Sequence, residues 1–108
     1  MRSLLAEDDC VTRMCMMKFV SSYGECDAAV DGMEAVDAYL MALEDGEPYD
    51  LACLDIMMPV MDGYQVLRSI RDLEADHGIP EEEQVKVIMT TANTPMKKRP
   101  KPVPASNR

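Results

Sequence analysis

Three short stretches carry groups that could handle a hard cation and a phosphoryl group. "LLAEDD" (4–9) sets Glu7, Asp8 and Asp9 behind an apolar run. "LDIMMPVMDG" (54–63) sets Asp55 at the end of a second run, with another Asp-Gly shortly after it. "VIMTTA" (87–92) ends a third run on Thr90 and Thr91. Carboxylates forced together repel, and one of them ordinarily takes up a proton. A divalent cation removes that conflict. Mg²⁺ takes near-octahedral oxygen ligands from one or two carboxylates, waters and a phosphate. An aspartate kept ionised in such a pocket can attack phosphorus and form an acyl phosphate, while the metal neutralises charge on the transferring group. Plainer roles compete, because an Asp at a strand end commonly caps a helix or makes a turn. Asp9, Asp31 and Asp62 read as such caps; Asp55 taken alone is open to either reading.

For these groups to meet, the three runs must be neighbouring strands of a parallel sheet, which gathers functional groups at the carboxyl ends of its strands. Residues 2–6 read as a short strand, followed by a helix from about 10 to 22 with Asp9 as its N-cap. Val11, Met14, Cys15 and Phe19 recur there at helical spacing, with Lys18 on the same side. ECDAAV (25–30) is a second strand. Asp31 then caps a helix, with Glu34 reaching back three residues on, and Met33, Val36, Leu40 and Leu43 form its expected apolar face. LACLD (51–55) is apolar until its last residue, which suits a strand covered on both faces. "DGYQ" (62–65) is a cap with its reciprocal partner, opening a helix to about residue 75 that buries Val66, Leu67, Ile70 and Leu73. An acidic connection leads to VKVIMT (85–90), a fourth strand. Strands alternating with helices imply right-handed crossovers and an α/β, doubly wound parallel sheet. After Asn93 the periodicity ends. Prolines at 95, 100, 102 and 104 exclude a helix or central strand, so 94–108 reads as an extended or disordered basic tail on a domain of residues 1–93.

The totals agree with this frame. A chain of 108 residues makes one modest domain. Its 47% hydrophobic and 29% charged residues are ordinary for a soluble globular protein. No apolar run approaches membrane-spanning length and no signal-peptide pattern leads the chain, so no membrane association is expected. The cysteines, at 10, 15, 26 and 53, form no C-x-x-C pair, and His77 is the one histidine, which argues against zinc. Cys15 and Cys53 read as small core residues, and the compartment as cytoplasmic. The net charge of -9 is unevenly spread: the last fifteen residues carry five bases and no acid, leaving 6 basic against 20 acidic side chains before them. An acidic body argues against nucleic acid as a direct ligand and suits a hard cation.

With these residues in view, the chain resembles the receiver domain of two-component response regulators. "LLAEDD", "LDIMMPVMDG" and "VIMTTA" match three of that family's motifs in order, each at a strand end, over residues 2 to about 93. The resemblance implies a flavodoxin-like fold with strand order 2-1-3-4. It implies Asp55 as phosphoacceptor, with Mg²⁺ held by Glu7, Asp8, Asp55 and the backbone carbonyl of Met57. It implies Thr91 as a switch hydroxyl, with Pro59 and Gly63 shaping the loop and Asp62 capping the third helix. The phosphoryl donor would be a histidine kinase or phosphotransfer protein, and the domain would be regulatory, not an enzyme.

The chain also departs from the pattern. The family continues with a fourth helix, a fifth strand and a fifth helix, and that strand ends in a Lys-Pro pair whose lysine contacts the phosphoryl group. Here a Pro-rich basic tail follows instead, so the fold is expected to be cut short before the fifth strand. Lys101-Pro102 has no apolar strand before it, and the lysine role is not carried onto Lys101. The switch aromatic has no counterpart. Two other functions therefore stand beside the phosphoacceptor: a degenerate receiver serving as an interaction module, and a small Mg²⁺-dependent phosphohydrolase. Loss of the fifth strand would also leave the fourth strand at the sheet boundary and part of the first helix uncovered, which leads to an expectation of self-association.

Overall fold

The computed structural model describes residues 1–90. Thr91 and the tail of 94–108 lie outside the described residues. Within them run β1 (Arg2–Ala6), α1 (Cys10–Ser21), β2 (Glu25–Ala29), α2 (Gly32–Glu44), β3 (Leu51–Asp55), α3 (Gly63–Asp76), a short 3-10 turn (Glu81–Glu83) and β4 (Lys86–Thr90). The strands form one parallel sheet in the order β2-β1-β3-β4. This is the expected doubly wound arrangement, and it sets the carboxyl ends of β1 and β3 side by side.

Side-chain alternation assigns the two faces. Leu4, Ala6, Ala29, Ala52 and Leu54 point to one side and join Ala35, Tyr39 and Ala42 of α2 and Val66 and Ile70 of α3 in the main core. Leu5 and Cys53 point to the other side, where α1 packs across β1 and β2. Burial pushes the Cys53 thiol above its ordinary range, in keeping with an inert core residue.

The caps follow the sequence closely. Asp9 accepts from Thr12 N, and Asp62 and Gln65 close a full capping box. Glu34 does reach back, but to Val30 N at 2.9 Å, one residue earlier than the usual box.

Two helical faces need correction. On α2 the buried stripe is Ala35, Tyr39 and Ala42, with Val36 and Leu43 along its flank; Met33 is 58% exposed. Small alanines and a tyrosine lack the hydropathy of Met and Leu, so the buried stripe lies about one position from the one that hydropathy marks. On α1 the expected core residue Cys15 is exposed, as are Val11, Met14 and Phe19, all on one stripe. Spacing reveals that such a stripe exists, but not which way it faces.

Glu74 went unremarked in the sequence and is fully buried. Its carboxylate accepts from Tyr39 Oη at 2.6 Å, from Val85 N at 2.7 Å and from Arg71 Nη1 at 2.7 Å, tying α2, α3 and the entry to β4 into one network. Removing a buried acceptor strands its donors, at roughly 1–3 kcal/mol each. Glu74→Ala is therefore expected to lower unfolding stability by about 3 kcal/mol, read as a fall in urea midpoint. The same network gives a pH dependence. Burial and then the bond to Glu74 push the Tyr39 hydroxyl above the ordinary tyrosine range. A group whose folded-state pKa is raised stabilises below its unfolded value, about 10 for Tyr, and loses that contribution as pH rises through it. Thermal stability should fall above about pH 10, and the fall should be shallower in Tyr39→Phe.

Candidate functional site

The site is built at the carboxyl ends of β1 and β3. Asp55 is the last residue of β3 and 1% exposed. Its Oδ1 accepts from Met57 N at 3.1 Å, which turns the chain sharply after the strand. Beside it, Glu7 continues β1 by one residue, its N–H donating to Ala29 O at 3.1 Å. Glu7 is 2% exposed, and its Oε2 accepts from Asp9 N at 3.0 Å. Asp8 is exposed at the mouth. The three carboxylates of Glu7, Asp8 and Asp55 each offer an oxygen within 4.8 Å of the others.

That geometry suits one hard cation. Opposed ligands of an octahedral Mg²⁺ lie roughly 4 Å apart, twice its ligand distance. Three oxygens within 4.8 Å of one another can therefore share one ion with little adjustment. All are carboxylate oxygens, the donor class that Mg²⁺ prefers. Two buried acids and an exposed one also leave an open side, where waters and a phosphoryl oxygen could enter.

Other parts hold the loops in place. Asp9 is a helix cap: its Oδ2 accepts from Thr12 N at 2.8 Å. Gly63 opens α3 directly beneath β3, where an added Cβ would meet Asp55 O at 2.5 Å. Its N–H donates to Ile56 O at 3.1 Å, so the closeness of helix and strand depends on glycine. Across the sheet, Ile56 N donates to Thr90 O at 2.9 Å, bringing the end of β4 against the Asp55 turn.

Two residues were not foreseen. Arg13 Nη1 donates to Glu7 O at 2.9 Å and to Asp8 O at 3.4 Å, so the first turn of α1 clasps the backbone of the acidic pair. Nothing in the spacing marked this arginine apart from other helix cations. Val60 has φ 69°, with Met61 N donating to Pro59 O at 2.6 Å around it, a tight γ-like turn. A β-branched residue there is strained, and a Gly or Asn, the usual sign of such a turn, is missing. The loop therefore stands out at the rim of the pocket with Val60 85% exposed.

Of the sequence-derived site residues, the structure brings Glu7, Asp8 and Asp55 together, places Met57 two residues past Asp55 with its N–H on that side chain, and leaves Thr91 outside the described residues. No helix among the described residues is long and apolar enough to cross a membrane.

Comparison with known proteins points the same way. The chain is 35% identical over 91 residues to hybrid signal transduction histidine kinase L of Dictyostelium discoideum, covering 83% of this chain and 5% of that protein. It is 33% identical over 96 residues to transcription factor prr1 of Schizosaccharomyces pombe, covering 88% of this chain and 15% of that one. The chain thus spans only a small part of the curated relatives it matches. Among solved structures, the receiver domain of the histidine kinase CKI1 from Arabidopsis thaliana, complexed with Mg²⁺ and BeF3⁻, superposes with a TM-score of 0.73 at 25% identity, covering 87% of this chain and 67% of that one. The CheX-CheY-BeF3-Mg²⁺ complex from Borrelia burgdorferi gives a TM-score of 0.67 at 30% identity, over 84% of this chain and 61% of that one. The family model described as "Response regulator receiver domain" matches residues 4–103, running past Asn93 into the basic segment. A four-stranded parallel sheet in receiver order, acids gathered at the ends of β1 and β3, and a family match over nearly the whole length lead to one conclusion: the chain belongs to the response regulator receiver domain family.

Proposed function

We propose that Asp55 is the phosphoacceptor of this domain, taking a phosphoryl group from a histidine kinase or phosphotransfer protein with Mg²⁺ bound at Glu7, Asp8 and Asp55. Receiver domains are regulatory phosphoacceptor modules, which removes the phosphohydrolase reading. The observation that carries the proposal is the trio of carboxylates within 4.8 Å of one another, two of them buried.

The chemistry assigned to this chain is limited. Asp55, whose Oδ1 accepts from Met57 N at the strand end, would be the attacking carboxylate. A carboxylate oxygen bonds to phosphorus as the donor's bond breaks, and the leaving group departs with its electron pair and takes a proton. Bound Mg²⁺ would offset charge on the phosphoryl oxygens. The backbone carbonyl of Met57 is proposed as a further ligand and the Thr91 hydroxyl as a phosphoryl contact, both on the family resemblance.

Support for the setting is less direct. Four unpaired cysteines suit a cytoplasmic location. Self-association through β4 has support from Ile88, 50% exposed on a strand that has a neighbour on one side only among the described residues.

Two outcomes follow. Millimolar Mg²⁺ should raise the melting temperature by mass action, and Asp8→Ala should remove most of that rise; equal responses in both proteins would sink the metal assignment. Treatment with a phosphoramidate should add one phosphoryl mass to the wild type and none to Asp55→Asn, read by mass spectrometry. An adduct that survives the substitution would place the acceptor elsewhere.

A further inference from the structure

The connection from β1 to α1 is three residues long, and all three are acids: Glu7, Asp8 and Asp9. Arg13 takes up each of their carbonyls. Its backbone N–H donates to Asp9 O at 2.8 Å, and its Nη1 donates to Glu7 O at 2.9 Å and to Asp8 O at 3.4 Å. A half-buried guanidinium beside several acids ordinarily pairs with a carboxylate. Among the described residues Arg13 makes no such ion pair; its side chain bonds to the backbone of the acids instead. A bond from Glu7 N–H to Ala29 O holds one end of the connection, and the Asp9 cap holds the other. Arg13 fixes the two carbonyls between them. Each fixed carbonyl fixes a planar peptide unit, and so the direction in which the neighbouring side chain leaves the backbone.

We infer that Arg13 is a positioning residue for the acidic pair, acting through the backbone of Glu7 and Asp8 to aim their carboxylates, with that of Asp55, at one divalent cation. The inference rests on the Mg²⁺ reading given above. Arg13 has two opposite effects on such an ion, and their balance decides its role. As a charge it repels an incoming Mg²⁺ and weakens binding. As a clasp it strengthens binding, because ligands already aimed at one point lose less freedom when the ion enters. Groups that orient metal ligands without touching the metal are worth roughly 10–100-fold in affinity. The repulsion is screened by salt over roughly 8 Å at physiological ionic strength, and the clasp is not. Lysine is a poor substitute, since it keeps the charge and loses the rigid planar end that spans both carbonyls.

The test is calorimetric titration of Mg²⁺ into the full 108-residue chain and into Arg13→Ala, Arg13→Lys and Lys18→Ala, in roughly 0.15 M and roughly 0.5 M salt. Arg13→Ala should weaken binding about tenfold at both salt concentrations, and Arg13→Lys should fall between it and the wild type. Lys18→Ala removes an equal charge from the last turn of α1, away from the connection, and should not weaken binding. A second readout needs no metal. The Asp9 amide donates to Glu7 Oε2 at 3.0 Å, so it reports whether that side chain is held over the connection. In metal-free Arg13→Ala its hydrogen exchange should quicken about tenfold, while the Leu5 amide inside β1 keeps its protection. Tighter Mg²⁺ binding by Arg13→Ala overturns the proposal, since the arginine then acts as a competing charge. So does an unchanged dissociation constant with a lowered urea midpoint, which would mark an arginine that serves stability alone. A wild type that takes up no Mg²⁺ sinks the metal reading. The Asp9 amide then still decides: unaltered exchange in Arg13→Ala removes the positioning role, and quickened exchange supports it.

Discussion

Three carboxylates share one small volume at the ends of two adjacent strands, and the rest of the structure is arranged to permit it. Two unit charges no more than 4.8 Å apart repel by at least about 3.5 kcal/mol at an effective dielectric of 20. The crowding is imposed by topology. The connection from β2 through α2 steps over β1 and pairs β3 with it, so the residues following Ala6 must meet Asp55 whatever their charge. Backbone donors answer part of the repulsion: Asp9 N on Glu7 and Met57 N on Asp55.

The buried Glu74 offers a contrast within the same molecule. Its single carboxylate meets a phenol, a backbone N–H and a guanidinium, each within 2.7 Å, at the far end of the sheet. Such an acid is finished structurally: its charge is spent on holding α2, α3 and β4 in register. The acids at the other end face one another as well as their donors. Glu7 and Asp55 are as buried as Glu74, and the difference lies in what surrounds each carboxylate. This is a sounder guide to function than burial alone, because both structural and reactive acids leave water.

Much of the site was legible in the sequence for a physical reason. Asp55, Glu7 and Asp8 each end an apolar run, and in a parallel sheet that position alone brings side chains to one rim. Asp62 and Gln65 declared their box because capping is local, three residues apart. The Glu74–Tyr39 bond spans 35 residues and depends on two helices lying side by side, which no local pattern encodes. The turn at Val60 was hidden because its residue is the wrong type for its backbone. The outward stripe of α1 was half legible: period identifies an apolar face, but only packing decides whether the sheet or the exterior receives it.

Helix α1 is tied to the acidic rim. Only three residues separate β1 from α1, and they are Glu7, Asp8 and Asp9 themselves. Asp9 caps the helix, and Arg13, one turn on, holds the carbonyls of Glu7 and Asp8. The helix therefore cannot shift along its axis without pulling the acidic pair. Its inner side is anchored to β1 and β2 mainly through Val20, near the far end. The first turn, by contrast, is held by polar bonds to the pocket and bears Val11 and Met14 outward.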